Sequence, residues 1–230
     1  MFYALIVAAG MGERMNSVVP KQYLPVSGKP VLAHTIDVFE KSPLIDEIVM
    51  VINAHHESVF REQIQGRYRY TKVKQVIFGG QTRQDSVYEG LRLLRDRPED
   101  YVLIHDGVRP LIDEQVLRRC VKKLVEQGAV CCAVPSSDTL KVMDDGMTIH
   151  STLDRSQVWR AQTPQSFRIS VIWEAYQRAR AEGFQGTDDS CLVERMGLPV
   201  FIVLGSEDNF KITTPQDFLR AEERLRWKTS

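Results

Sequence analysis

The feature that most constrains this chain is a run of short apolar segments alternating with longer segments of helical period. YALIVAA (3–9) is a short apolar run ending at a glycine, as a buried strand would read. PVLAHTIDVFEKS (30–42) opens with proline and sets Val31, Leu32, Ile36 and Phe39 at helical spacing. EIVMVIN (47–53) and KVKQVIFGG (72–80) are the next strands, followed by a helix at RQDSVYEGLRLLR (83–95) and a strand at YVLIHD (101–106). DEQVLRRCVKKLVEQG (113–128) carries an aspartate at its expected N-cap, an apolar stripe from Val116 to Val125 and a closing glycine. AVCCAVP (129–135) returns to strand. Such alternation argues for an α/β fold, a mostly parallel sheet with helices on both faces. In such sheets ligands bind beyond the carboxyl ends of the strands. The loops AAGMGERM, GGQTRQDS and HDGVRP should therefore open onto one edge.

Residues 136–163 interrupt the pattern. Asp145-Gly146 stands between two runs of mixed polar and β-forming residues, which predicts a β-hairpin arm over about 138–157. A hairpin with so few apolar residues is not stable alone. It needs a surface to lie against, and a second subunit is the natural one. After it the periodicity predicts helices near 169–182 and 187–196, a strand at LPVFIVLG and a helix over 214–227 entered through Thr214-Pro215. No repeat or linker divides the chain, so one domain over 1–230 is expected, with the arm inserted.

Composition excludes several classes. The 230 residues hold 30 basic and 30 acidic side chains, so formal charge is zero. Nothing global draws the chain to nucleic acid or to an anionic membrane surface. No apolar run approaches the roughly 20 residues that span a bilayer. The N-terminus lacks a basic n-region and runs straight into the glycine loop, so it reads as a strand and not a signal peptide. Cys120, Cys131, Cys132 and Cys191 fit no zinc or redox spacing and read as reduced thiols of a cytoplasmic protein.

The loops carry the chemistry. Gly10-Met11-Gly12-Glu13-Arg14-Met15 lacks the third glycine of a dinucleotide fingerprint, and no Gly-Lys-Ser/Thr makes it a P-loop. Gly10 and Gly12 still let backbone amides approach a phosphate or a base. Arg14 offers a planar fork and Lys21 a compact charge. Asp106 in His105-Asp106-Gly107-Val108-Arg109-Pro110 can hold a divalent metal or a substrate hydroxyl, or simply pair with Arg109. Ser206–Thr213 adds Asp208 and Lys211. A hard cation such as Mg²⁺ takes few carboxylates plus phosphate oxygens, which makes Asp106 and Asp208 candidate ligands. Cations and carboxylates at one sheet edge suit phosphoryl or nucleotidyl transfer, which works by positioning and charge neutralisation. The serines offer no Gly-x-Ser-x-Gly elbow.

Eight segments, AAGMGERM, PKQYLP, GGQTRQDSV, HDGVRP, SDTLK, LDRSQVWRAQTPQSF, TDDS and DNFKITTP, together resemble the 2-C-methyl-D-erythritol 4-phosphate cytidylyltransferase family of the non-mevalonate isoprenoid pathway. The resemblance implies a Rossmann-like nucleotidyltransferase domain, CTP and a sugar-alcohol phosphate as substrates, Mg²⁺ as cofactor, and a homodimer formed through the arm. It implies that Ala8, Ala9 and Gly10 approach the cytosine and ribose, and Gly12 and Arg14 the triphosphate. Arg14, Lys21 and Lys211 would be catalytic. Gly80, Gln81, Arg83 and Ser86 would select cytosine. Asp106, Arg109 and Thr163 would bind the acceptor, and Thr139 and Arg155 would reach its phosphate in the neighbouring subunit. Gln81 stands where acidic residues are common in the family, and Gly107 where alanine is common. Two alternatives stay open: a cytidylyltransferase acting on ribitol 5-phosphate, whose relatives tend to have glycine at the position of Ala9, and a non-catalytic nucleotide-binding domain.

Overall fold

A computed structural model describes residues 1–10 and 19–229. Its elements in chain order are β1 (Phe2–Ala8), β2 (Pro25–Val26), β3 (Lys29–Pro30), α1 (Val31–Lys41), β4 (Glu47–Ile52), α2 (Glu57–Phe60), β5 (Val73–Phe78), α3 (Arg83–Leu94), β6 (Tyr101–Asp106), α4 (Glu114–Gln127), β7 (Ala129–Pro135), β8 (Lys141–Met143), β9 (Ile149–Thr152), β10 (Trp159–Arg168), α5 (Ile169–Ala181), α6 (Ser190–Arg195), β11 (Phe201–Leu204) and α7 (Pro215–Thr229). Seven strands form one sheet in the order β11-β7-β10-β6-β1-β4-β5. All neighbours are parallel except β10, which runs antiparallel to both β6 and β7. The expected mostly parallel sheet is present.

The period-2 alternation of the strands divides the core in two. Ala4, Ile6, Met50 and Leu103 face α1 and α4, against Leu32, Ile36, Leu117 and Leu124. Tyr3, Leu5, Val51 and Ile104 face α3, α5 and α6, against Val87, Leu91, Ile172 and Leu192. Each of these side chains is essentially removed from water. Such burial is worth about 1.5–3 kcal/mol for a Leu, Ile or Val. Asp113 caps α4 as its sequence predicts, accepting from Val116 N at 2.8 Å, and Gly128 ends that helix at φ +79°.

The chief departure from the expectations is β10. Periodicity does not predict it: its sequence, WRAQTPQSFR, buries the polar Gln162, Thr163, Gln165 and Ser166. The hairpin is present as β8 and β9, and Asp145-Gly146 occupies the centre of its turn, which Met147 N closes by donating to Asp144 O at 3.2 Å. Asp144 reinforces it, accepting through Oδ1 from Gly146 N at 3.0 Å and Thr148 N at 2.9 Å. The left-handed residue there is Met147, at φ +61°. No helix among the described residues is long and apolar enough to cross a membrane.

Candidate active site

The parallel strands deliver their carboxyl ends to one edge, and antiparallel β10 brings its first half to the same edge. A cleft of about 790 Å³ opens there. Ala8, Ala9, Gly10, Lys21, Gly80, Gln81, Arg83, Ser86, Asp106 and Lys211 line it, so ten of the sequence-derived candidates meet in one place. Gly12 and Arg14 lie outside the described residues.

Two carboxamides hold the turn after β1. Gln22 Nε2 donates to the carbonyls of Ala8 at 2.9 Å and Gly10 at 3.0 Å, and Asn53 Nδ2 donates to that of Ala9 at 3.2 Å. Three successive carbonyls are thereby fixed, and the path of the backbone with them. Lys21 precedes Gln22 in a short turn, Lys21–Tyr23, entered from the extended Pro20. Across the cleft, Thr82 and Asp85 form a capping box at the start of α3. Gly79 is needed there because a Cβ would stand 2.5 Å from Ser86 Oγ and 2.6 Å from Ala9 Cβ. Ser86 itself is buried and donates to Thr82 O at 2.9 Å.

Asp106 is the hub of the floor. Its Oδ1 accepts from Arg83 Nε at 3.1 Å. Its Oδ2 lies 3.1 Å from Lys211 Nζ and accepts from Arg109 Nε at 3.4 Å. Burial alone would disfavour its charge, but Arg83, Lys211 and Arg109 outweigh that and hold it far below the usual carboxylate range. Arg109 is also fixed by donation to Asn209 O at 2.8 Å. The loop carrying Lys211 is tied on by Ile212 N donating to Val108 O at 2.9 Å.

Thr163 sits behind Asp106. Its Oγ1 accepts from Asp106 N at 3.0 Å and lies 3.0 Å from His105 Nδ1. Arg83 uses Nε on Asp106 and its two terminal nitrogens on Asp189, at 2.9 and 2.8 Å. Its burial works against its charge, and Asp189 and Asp106 reverse the balance, raising its affinity for the proton.

Three candidates lie elsewhere. Thr139 and Arg155 are exposed on the arm and outside the cleft lining. Asp208 pairs with Arg224 at 2.9 Å. No cluster of three His, Cys, Asp or Glu side chains suited to a metal occurs among the described residues. Asp106 is bonded to Arg83, Arg109 and Lys211, so a cation held by Asp106 and Asp208 shares both carboxylates with basic side chains.

The structure adds residues that sequence reasoning left without a role. Gln22 stood within PKQYLP and Asp189 within TDDS, so the motifs marked them, but only the fold shows what they touch. Asn53 closes the strand EIVMVIN, and no local signal in the sequence marks it as a partner of the turn after β1.

Comparison with known proteins agrees with this geometry. Residues 2–227 match the family model described as IspD, 2-C-methyl-D-erythritol 4-phosphate cytidylyltransferase. A protein of that name from Geobacter metallireducens is 48% identical over 228 residues, covering 98% of each chain. One from Clostridioides difficile is 44% identical over 98% of this chain and 94% of its own. The crystal structure of 4-diphosphocytidyl-2C-methyl-D-erythritol synthase from Anaerococcus prevotii matches with a TM-score of 0.85 at 35% identity, over 98% of this chain and 96% of that one. The Francisella tularensis 2-C-methyl-D-erythritol 4-phosphate cytidylyltransferase matches with a TM-score of 0.83 at 29% identity, over 97% and 99%. With its fold and nearly its whole length in agreement, this chain belongs to the 2-C-methyl-D-erythritol 4-phosphate cytidylyltransferase family.

Proposed function

We propose that this protein joins CTP to 2-C-methyl-D-erythritol 4-phosphate, giving 4-diphosphocytidyl-2-C-methyl-D-erythritol and pyrophosphate. An oxygen of the acceptor phosphate attacks the α-phosphorus of CTP in line, and the bond to the bridging α–β oxygen breaks. The acceptor phosphate is already an anion at neutral pH, so no side chain need take a proton from it. The enzyme's task is to bring two anions together and to stabilise the charge that gathers as they react.

The observation that carries this reading is Asp106 on the cleft floor, bonded by Arg83, Arg109 and Lys211 and facing the turn held by Gln22. In our reading the Ala8–Gly10 turn, Gly80, Gln81 and Ser86 receive cytosine and ribose, with Gly12 at the triphosphate. Arg14 and Lys21 neutralise the triphosphate as the α-phosphorus becomes crowded. Lys211 gives its charge to the phosphates from the opposite wall, while Asp106 and Arg109 orient the acceptor. Thr163 acts by holding Asp106. Mg²⁺ supplies charge neutralisation on the phosphates, and the occupied state of Asp106 and Asp208 favours its entry with CTP over a site built of protein carboxylates.

The acceptor phosphate is met by Thr139 and Arg155 of a second subunit, reached by the arm over about 138–157. The arm's exposed Val142, Met143, Met147 and Ile149 support a homodimer, and small-molecule substrates, not nucleic acid or membrane, fit a chain with no net charge. Four free thiols support a cytoplasmic location, and the whole chain, 1–230, acts as one domain. Phosphorus NMR of a mixture with CTP, the methylerythritol phosphate and Mg²⁺ tests the reaction. The account predicts a pyrophosphate-diester doublet pair together with free pyrophosphate; intact CTP after prolonged incubation with folded protein would overturn it.

A further inference from the structure

Asp189 stands at the start of α6, far in sequence from the cleft, and is fully buried. Its backbone N–H donates to Gln165 Oε1 at 2.9 Å, and Tyr176 donates its hydroxyl to Asp189 Oδ1 at 2.6 Å. The carboxylate accepts from both terminal nitrogens of Arg83 in a two-pronged pair, and Arg83 Nε donates to Asp106. A guanidinium is a rigid planar fork, so fixing two of its nitrogens fixes the direction of the third. The chain Tyr176–Asp189–Arg83–Asp106 thus ends at the carboxylate on the cleft floor.

We propose that Asp189 is a positioning residue: by holding Arg83 on both terminal nitrogens it aims Arg83 Nε at Asp106 Oδ1 and leaves Asp106 Oδ2 to Lys211 and Arg109. This rests on the cytidylyltransferase reading for its kinetic consequence, though not for its structural one. Charge supports it. Asp106 and Asp189 face Arg83, Arg109 and Lys211, a cluster of one net positive charge. Without the Asp189 carboxylate, Arg83 is a permanently charged fork at the rim of a cleft that receives phosphates, free to leave Asp106 for them. A buried pair that loses one partner also leaves the other uncompensated.

The test compares wild type with Asp189→Asn, and with Asp189→Glu, which keeps the charge but moves it by one methylene and so decides the matter if the Asn variant does not fold. Two readouts are taken. In ¹⁵N NMR the Arg83 Nε–H resonance, identified by its loss in Arg83→Lys, is sharp in wild type and broadened by exchange in the variants. In steady state, kcat falls by about 10²-fold, the scale expected for a misplaced group at a reacting centre, while KM for CTP stays within about threefold. A folded variant with unchanged kcat, or with the loss wholly in KM for CTP, would overturn the inference, as would an Arg83 Nε–H signal unaltered in both variants. If wild type itself does not turn over, the reaction reading fails, and the NMR result alone decides whether Asp189 holds Arg83.

Discussion

Thr163 Oγ1 lies 3.0 Å from His105 Nδ1, and the other ring nitrogen decides which of the two donates. His105 Nε2 faces the Arg109 carbonyl at 3.1 Å, which can only accept, so the neutral ring carries its hydrogen on Nε2. Nδ1 is therefore bare and accepts from the Thr163 hydroxyl, whose oxygen accepts from Asp106 N. Neutral His105 therefore ties β10 to the turn that presents Asp106 and Arg109.

Stability should depend on this imidazole. Burial is the main cause that lowers its pKa, opposed by the Arg109 carbonyl, and brings it to about 4. The unfolded chain takes up the proton near 6.5, so between those values the unfolded state binds more protons. The contribution of neutral His105 is complete above about 6.5 and is lost as pH falls towards 4, on the order of 3 kcal/mol in all. Urea unfolding from pH 7 to 4 should show this slope, and His105→Gln should flatten it. Asp106, also depressed, loses its contribution only below its unfolded value of about 3.9. An equal slope in both proteins would contradict the assignment.

Gln22 should govern nucleotide affinity. Its two hydrogen bonds to Ala8 and Gly10 shape the turn, at about 1 kcal/mol each. Gln22→Leu keeps the volume and removes both donors. KM for CTP is expected to rise by roughly tenfold or more, with a smaller change in KM for the acceptor. An unaltered KM for CTP would mean that the turn holds its shape without the clamp.

Lys21 should matter for rate more than for folding. It lines the cleft and belongs to no hydrophobic cluster of the core. Lys21→Ala is expected to melt close to wild type and to lose about 10²–10³ in kcat, the scale for one donor to a transition state. Near-normal turnover would remove Lys21 from the mechanism.

Arg155 should act across subunits. In the proposed dimer, Arg155→Ala and Lys21→Ala subunits paired with their own kind are each expected to be nearly inactive. Mixed and reassembled, the two variants should form heterodimers with one intact site, and part of the activity should return. No recovery in verified heterodimers would place Arg155 and Lys21 outside a shared site.

Much of this architecture is legible in the sequence because each strand–helix unit follows a local rule. Asp113 caps its helix, Gly128 closes it, and the apolar stripe between them predicts the buried face. What periodicity does not reach is β10. Its residues Gln162, Thr163 and Gln165 are buried because other loops satisfy them: Asn209 donates to Gln162 Oε1 and Thr163 O, and Gln165 serves Asp188 and Asp189. A polar strand of this kind looks like a loop until its long-range partners are known. The same holds for the site. Lys21, Asp106 and Lys211 were readable as charges on loops at one sheet edge, whereas the hold of Asp189 on Arg83 joins residues 106 positions apart. The hairpin shows the opposite case, where the local signal Asp145-Gly146 sits at the centre of the turn it predicts, flanked by Asp144 and the left-handed Met147.

The central claim is the acceptor, and pyrophosphate release with CTP and Mg²⁺ tests it most directly. The assay compares 2-C-methyl-D-erythritol 4-phosphate with ribitol 5-phosphate at equal concentrations. The account predicts rapid release with the first and little with the second. Release with ribitol 5-phosphate alone would keep the fold and the transfer chemistry but contradict the acceptor. Release with neither, from folded protein that binds CTP, would contradict catalysis itself.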